Sequence, residues 1–167
     1  MKRVIVLIMI ISLFFLSACS NGSTPQGVYE SFVDKYGQLP VGTLYDSEKK
    51  EWEDGYVSDR LIESLYGCTR DGGEMEHVLS FCVYLSSRSD EIYELGIFLC
   101  NSHSEAEQVA KMCLLRIDTV KEIRIKTEGE VGLSSLDGAF VRVSGKFCVY
   151  SIMPDNEASS RALDRAL

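Results

Sequence analysis

The pattern of two strands followed by a helix is predicted twice in this chain. This repetition limits the folds that the chain can adopt. The first segment contains "HVLSFCVYL" at 77–85 and "EIYELGIFLC" at 91–100. β-branched and aromatic residues of this kind favour strands over helices. The polar loop between them, 86–90, is short enough to join them as a hairpin. The first segment therefore predicts two antiparallel neighbours.

The second segment repeats this pattern near the C-terminus. It contains "AFVRVS" at 139–144 and "KFCVYSIM" at 146–153. Gly145 and Lys146 lie at the junction, and a glycine in the first position suits a tight two-residue turn. The sequence thus predicts a second hairpin.

A helix is predicted after each hairpin. Ser104 and Glu107 have the spacing of a capping box at the start of a helix over 103–120. That helix has an apolar stripe formed by Ala106, Ala110, Cys113, Ile117 and Val120. Pro154 and Asp155 end the last strand and begin a helix with one apolar line, Ala158, Ala162 and Ala166, flanked by Leu163 and Leu167.

The fold class that follows is α+β. Two ββα units would form a roughly four-stranded antiparallel sheet with helices packed on one face. Further helices are predicted at 28–36 and 58–66, the second capped by Ser58. A loop with a helical turn is expected between them. Residues 28–66 would wrap the edge of the sheet or cover its second face.

The N-terminus has the composition of a secretory signal. Lys2 and Arg3 precede an apolar run at 4–16, which is 13 residues long. A helix needs about 20 apolar residues to cross the hydrocarbon core. A signal peptide at 1–18 that is removed after export is therefore favoured over a permanent membrane span.

A cysteine directly follows this leader. The last three residues of the leader and this cysteine resemble the lipobox of bacterial lipoproteins, in the order Leu16, Ser17, Ala18 and Cys19. In that class the Cys19 thiol receives a diacylglyceryl group, and cleavage makes Cys19 the new N-terminus. An ordinary signal with a chance cysteine is the alternative. Residues 19–27 would then be a lipidated, flexible tether, and 28–167 a single domain.

The charge of the chain excludes some classes of partner. The chain has 17 basic and 25 acidic side chains, and removal of Lys2 and Arg3 with the leader would leave 15 basic ones. The mature protein would then have a formal charge of −10. Nucleic acid binding requires a basic surface, so it is not expected. Close contact with anionic lipid headgroups is disfavoured for the same reason.

Five cysteines follow Cys19, which is an odd number. Most lie in strand-like runs or on the helical stripe, where a free cysteine packs as a small apolar residue. Core packing is therefore the expected role of Cys68, Cys82, Cys100, Cys113 and Cys148. A cross-strand disulfide, Cys82–Cys100 or Cys82–Cys148, is the alternative in an oxidising compartment.

Three parts of residues 57–166 carry a resemblance to a known family: "DRLIESLYG", "SDEIYELGIFLC" leading into "SEAEQVAKMCLLRID", and "GAFVRVSGKFCVYSIMPDNEA". They resemble a domain-of-unknown-function family of small lipoproteins from clostridial-type bacteria. The lipobox agrees with this resemblance. The cysteines in the strands depart from it, since larger aliphatic residues are usual there. The resemblance implies no reaction, so no catalytic residue is transferred to this chain.

Cys100 and His103 are the candidates for metal binding or thiol catalysis. A structural zinc site needs about four ligands, and no second clustered pair accompanies them. No metal or other cofactor is therefore predicted. Catalysis by a Cys–His pair requires the base to lie beside the nucleophile, which this spacing does not establish. The numerous carboxylates are expected to form a solvated surface, and no catalytic residue is assigned.

Glu94 and Trp52 are the other two residues of interest. Glu94 lies inside an otherwise apolar strand, so we expect it on the solvent face, with a place near a site as the alternative. Trp52 is the single tryptophan and lies in the charged segment "EKKEWEDG". It either anchors a partner or fills the edge of the core.

These observations favour a membrane-anchored, non-catalytic binding or accessory module on the outer face of the cytoplasmic membrane. The expected partners are membrane lipid, through Cys19, and an envelope protein. The alternative is a small extracytoplasmic hydrolase that uses a Cys–His pair or two carboxylates.

Overall fold

An antiparallel sheet of five strands forms the centre of the fold. The computed structural model of the chain describes residues 24–87, 92–128 and 134–167. Its strands are β1 (Gly42–Asp46), β2 (Val78–Ser86), β3 (Glu94–Cys100), β4 (Phe140–Ser144) and β5 (Phe147–Ile152). They lie in the spatial order β1-β2-β3-β5-β4, with every neighbouring pair antiparallel. The predicted signal peptide and lipobox lie outside the described residues.

Helices pack on this sheet, which confirms the predicted α+β class. They are α1 (Pro25–Tyr36), α2 (Asp59–Tyr66), α3 (His103–Glu128), α4 (Ser134–Asp137) and α5 (Asn156–Leu163). A short 3-10 helix, Gly73–His77, precedes β2. The two ββα units are therefore β2-β3-α3 and β4-β5-α5, and their hairpins adjoin through β3 and β5.

Strand β1 is the strand that local sequence pattern does not predict. The segment was expected to be a loop with a helical turn, but Gly42–Asp46 pairs with β2 along its whole length. Its five residues include only two large apolar side chains, Leu44 and Tyr45, which pack on opposite faces of the sheet. Hydrogen bonds to β2 define this edge strand, because its own pattern is too short to predict a strand.

Both faces of the sheet are covered, and α1, from the segment predicted to wrap the edge or cover the second face, lies on that second face. On one face, α2 and α3 pack against side chains that include Phe81, Val83, Phe98 and Tyr150. On the other face, α1 and α5 pack against Cys82, Tyr84, Leu95, Ile97 and Val149. The second ββα unit thus sends its helix to the face opposite α3. Strands that are apolar on both sides need a cover on each.

Helix α1 begins earlier than predicted and shortens the expected tether. Thr24 is its N-cap and accepts a hydrogen bond from the Gly27 N–H at 3.1 Å. Pro25 occupies the first helical position, where its missing N–H costs nothing. The end of the predicted tether, 24–27, is therefore part of the folded domain.

The N-terminal cap of α3 lies two residues before the predicted one. The Glu105 N–H donates to Ser102 Oγ at 3.2 Å, and the Asn101 N–H donates to Glu105 Oε2 at 2.9 Å. Ser102 is therefore the N-cap, Glu105 reaches back to the residue before it, and Ser104 lies inside the first turn. The sequence contains two overlapping Ser-x-x-Glu motifs, and only the fold selects between them.

Candidate functional site

Trp52 is the most exposed large hydrophobic side chain among the described residues, at 79% of its maximum. It lies between β1 and α2, in residues 47–55, which we call the Trp52 loop. The Lys50 Nζ lies 5.6 Å from the centre of the indole ring, within cation–π range. Trp52 therefore does not fill the edge of the core, and its role as a partner anchor stays a prediction.

Hydrogen bonds within the Trp52 loop fix the turn that carries the indole. Lys50 and Glu53 exchange two of them: the Glu53 N–H donates to the Lys50 carbonyl at 2.9 Å, and the Lys50 N–H donates to Glu53 Oε2 at 2.7 Å. This is a β-turn with Glu51 and Trp52 at its two central positions. The charged residues around Trp52 thus build the turn that presents it.

The base of the Trp52 loop is closed by the end of β1. The Asp46 N–H donates to the Gly55 carbonyl at 2.8 Å, and Asp46 Oδ1 accepts from the Glu48 N–H at 2.9 Å. Gly55 has φ +81°, and a Cβ there would lie 2.2 Å from the Leu44 carbonyl oxygen. Only glycine fits this position without strain.

A cleft of about 270 Å³ adjoins the Trp52 loop. Ser47 begins the loop and is tied to β2, because its N–H donates to the Phe81 carbonyl and its Oγ accepts from the Phe81 N–H. Arg70 is held on the cleft wall by a 2.7 Å hydrogen bond to the Val57 carbonyl. The rest of the wall mixes carboxylates with apolar side chains, Glu48, Asp71, Met75, Glu76, Val78 and Leu79.

Glu94 is buried, so the expectation that it faces solvent is wrong. Its side chain is 3% exposed and forms a two-fold contact with Arg116 of α3. Arg116 Nη2 lies 2.5 Å from Glu94 Oε1, and Arg116 Nε lies 3.0 Å from Glu94 Oε2. A carboxylate is stable inside an apolar sheet only when such a partner replaces water.

Two tyrosines extend this buried pair into a network. The Tyr150 hydroxyl donates to Glu94 Oε2 at 3.1 Å and lies 3.2 Å from the Tyr66 hydroxyl. Gly96 makes room for the Tyr150 ring, because a Cβ at Gly96 would lie 2.1 Å from Tyr150 Cε1. The network connects α2, α3, β3 and β5.

Burial controls the protonation of this network. It raises the pKa of Tyr66 and of Tyr150 well above the usual range, so both hydroxyls stay protonated and can donate. Burial also lowers the pKa of Arg116, but the hydrogen bonds and charge of Glu94 outweigh it and the pKa is raised overall. Arg116 is therefore a permanent cation that holds the Glu94 carboxylate in the core.

Cys100 and His103 do not form a catalytic pair. Cys100 is completely buried, and this burial raises the pKa of its thiol to about 12. His103 has a side chain that is 61% exposed, with Nδ1 3.0 Å from the Gly145 carbonyl and Nε2 3.6 Å from Glu107 Oε1. A nucleophilic thiolate is thus disfavoured at Cys100, and the imidazole contacts other groups.

The two buried carboxylates also stay apart. In the β1–β2 ladder the backbone of Asp46 lies opposite Cys82, whose side chain packs against α1 and α5. Glu94 contacts α3 on the opposite face of the sheet. Asp46 and Glu94 therefore do not form a carboxylate pair among the described residues. No group of three or more possible metal ligands occurs among them.

The buried cysteines pack in the core as free thiols, as expected. Cys82, Cys100, Cys113 and Cys148 are all fully buried, whereas Cys68 is partly exposed. Neither alternative disulfide is possible in this fold. Cys82 lies on the α1 face while Cys100 and Cys148 lie on the α3 face.

The sequence pattern does not identify the partners of Glu94, which are Arg116, Tyr66 and Tyr150. One signal was available, because a carboxylate that is buried in an apolar strand requires a cation beside it. Arg116 lies three residues after Cys113, at the border of the apolar stripe of α3. The tyrosines gave no signal, since aromatic residues are ordinary in a core.

Comparisons with known proteins found no similarity: no family model matches the chain, and neither a curated protein nor a solved structure matches it. The resemblance to small clostridial-type lipoproteins stays a prediction. Within the described residues, no helix has the length and apolar character needed to cross a membrane.

Proposed function

We propose that this chain is a lipoprotein anchored through Cys19 to the outer face of the cytoplasmic membrane, where it acts as a non-catalytic binding or accessory module. The basic, short apolar leader and the lipobox support the anchor. Two acyl chains on one residue hold a protein on a bilayer persistently, whereas a single chain binds only marginally.

The presentation of Trp52 is the observation that carries the binding role. Its indole is 79% exposed, and the turn that carries it is fixed by hydrogen bonds between Lys50 and Glu53. Tryptophan is enriched among the residues that dominate binding energy in protein interfaces. A loop that is already ordered loses less conformational entropy when a partner binds. We therefore assign the Trp52 loop as the contact for an envelope protein.

Metabolic labelling tests the anchor. Cells supplied with a clickable palmitate analogue should label the wild-type protein, and Cys19→Ala should lose the label. Cys68→Ala is the matched control, since Cys68 is the partly exposed cysteine of the folded domain and should leave labelling unchanged. Labelling that persists in Cys19→Ala would overturn the proposed anchor.

Photo-crosslinking in native membranes tests the binding role. A benzophenone amino acid at position 52 should yield a discrete crosslinked protein that mass spectrometry identifies. The same amino acid at Arg161, an exposed position of α5, is the control and should yield none. Equal products at both positions, or repeated recovery of one small molecule without any protein, would contradict the proposal.

A further inference from the structure

Three of the buried cysteines lie together on one face of the sheet. Cys100 of β3, Cys113 of α3 and Cys148 of β5 belong to the core between the sheet and α3. Cys113 Sγ and Cys148 Sγ are 3.8 Å apart, which is van der Waals contact between two sulfurs. The contact joins residues 35 positions apart in the chain.

The fold keeps two of the other cysteines away from this thiol pair. Cys82 lies on the opposite face of the sheet, and Cys68 follows α2 at the surface. Cys100 is the nearest competitor. The Cys100 N–H donates to the Lys146 carbonyl, so its side chain is diagonal to that of Cys148 across the β3–β5 ladder. Diagonal neighbours are farther apart than side chains in contact.

We infer that Cys113 and Cys148 form a disulfide when the chain folds in the presence of a disulfide oxidant. A disulfide has a sulfur–sulfur distance of about 2.05 Å, so the two atoms must approach by about 1.8 Å. The bond would link α3 directly to β5 and would leave Cys68, Cys82 and Cys100 as thiols. The pairing depends on the fold alone. Only the cellular source of the oxidant depends on the proposed extracytoplasmic location.

The chemistry is two thiol–disulfide exchanges. A thiolate of one cysteine attacks glutathione disulfide, forms a mixed disulfide and releases one glutathione thiolate. The thiolate of the other cysteine then attacks the protein sulfur of that mixed disulfide and releases the second glutathione. Two protein thiols are oxidised, one glutathione disulfide is reduced to two glutathiones, and the two thiol protons pass to the products.

Burial decides when this exchange can occur. Both side chains are fully buried in the folded chain, so glutathione disulfide cannot reach them there. Burial also raises the pKa of the Cys113 thiol well above its usual value, which disfavours the attacking thiolate. The exchange therefore occurs while the chain is incompletely folded. The Cys113–Cys148 bond is retained when α3 docks, because it is the pairing that the contact in the folded chain allows, and the folded, reduced protein resists oxidation.

Refolding provides the test. The full chain, purified from membranes in detergent, is unfolded in urea and reduced. It is then refolded with a mixture of glutathione and glutathione disulfide. After alkylation and digestion, mass spectrometry should find the Cys113 and Cys148 peptides joined, with the loss of two hydrogens. Cys19 is absent from both peptides, so failure of the proposed anchor would not change this result.

The bond should also change thermal stability. The refolded, oxidised protein should melt on the order of 10 °C above the same protein kept in dithiothreitol, because the bond closes a loop of about 35 residues. Cys148→Ala should abolish both the joined peptides and the difference in Tm. Cys82→Ala, a buried cysteine on the other face, should keep both.

Two results would overturn the inference. One is a refolded wild type in which the Cys113 and Cys148 peptides are alkylated separately. The other is a product dominated by Cys100–Cys148. The comparison between oxidised and reduced wild-type protein needs no variant, so it remains decisive if Cys148→Ala fails to fold.

Discussion

Glu94 of β3 and Arg116 of α3 form a buried ion pair that links the sheet to a helix. We expect Glu94→Gln to lower the free energy of unfolding by about 3 kcal/mol, because it leaves the buried Arg116 charge without its counter-ion. The double variant Glu94→Leu with Arg116→Met should lose much less than the sum of the single changes, since both charges are then absent. Urea denaturation measures all of these free energies.

An exposed ion pair is the control for this prediction. Glu157 and Arg161 of α5 lie 3.2 Å apart with most of both side chains in solvent. Glu157→Gln should cost less than about 1 kcal/mol, because water screens exposed charges. Equal losses from Glu94→Gln and Glu157→Gln would mean that the buried pair contributes no more than a surface pair.

Gly96 is a second position at which one substitution should disturb the buried network of Glu94, Arg116, Tyr150 and Tyr66. Gly96→Ala should lower the free energy of unfolding by about 1–3 kcal/mol, because its Cβ would overlap the Tyr150 ring and displace the Tyr150 hydroxyl from Glu94. The same change in a Tyr150→Ala background should cost far less, since the ring is absent. A Gly96→Ala cost that is the same in both backgrounds would refute this cause.

At the scale of elements, the start of α3 tests which Ser-x-x-Glu motif is the capping box. Ser102→Ala should lower the free energy of unfolding by about 1 kcal/mol, because Ser102 Oγ accepts the Glu105 N–H. Ser104→Ala is the matched control and should change it by less than about 0.5 kcal/mol, since alanine is favourable within a helix. Urea denaturation compares the two, and a larger loss from Ser104→Ala would restore the box predicted from the sequence.

At the scale of the whole molecule, stability should fall as the pH becomes alkaline. Burial raises the pKa of Tyr29 from 10.0 to about 12 and that of Cys100 from 9.0 to about 12. The folded state therefore holds these protons more tightly than the unfolded chain does. The stabilisation is complete below about pH 9 and is lost as the pH rises toward 12.

Urea denaturation at successive pH values from 7 to 12 measures this decline. Tyr29→Phe should reduce the slope between pH 10 and 12, because that side chain no longer titrates. A free energy of unfolding that stays constant above pH 10 would contradict the raised pKa of the buried groups.

Much of the element order could be predicted from local pattern. Four of the five strands, the helix after each hairpin and the α+β class follow from runs of β-branched residues and from helical stripes. Strand β1 could not be predicted, because two apolar residues, Leu44 and Tyr45, form no pattern, and its pairing with β2 is a contact between distant segments.

The candidate site could likewise be predicted only in part. Composition identified Trp52 as unusual, but its exposure depends on the turn that Lys50 and Glu53 close. Glu94 was predicted on the solvent face because, in an isolated strand, a charged side chain has a lower free energy in water than in an apolar core. The fold instead supplies Arg116 from α3, and only a neighbour from another element makes that burial possible.

The sequence by itself determined the class of fold, since hydrophobic periodicity and turn residues act within a few residues of each other. The leader and lipobox, which the described residues do not include, likewise rest on the sequence alone. The tertiary structure decided which face each helix covers, which serine caps α3, and which two of five cysteines touch. Those outcomes depend on contacts between segments far apart in the chain, and local patterns contain no information about them.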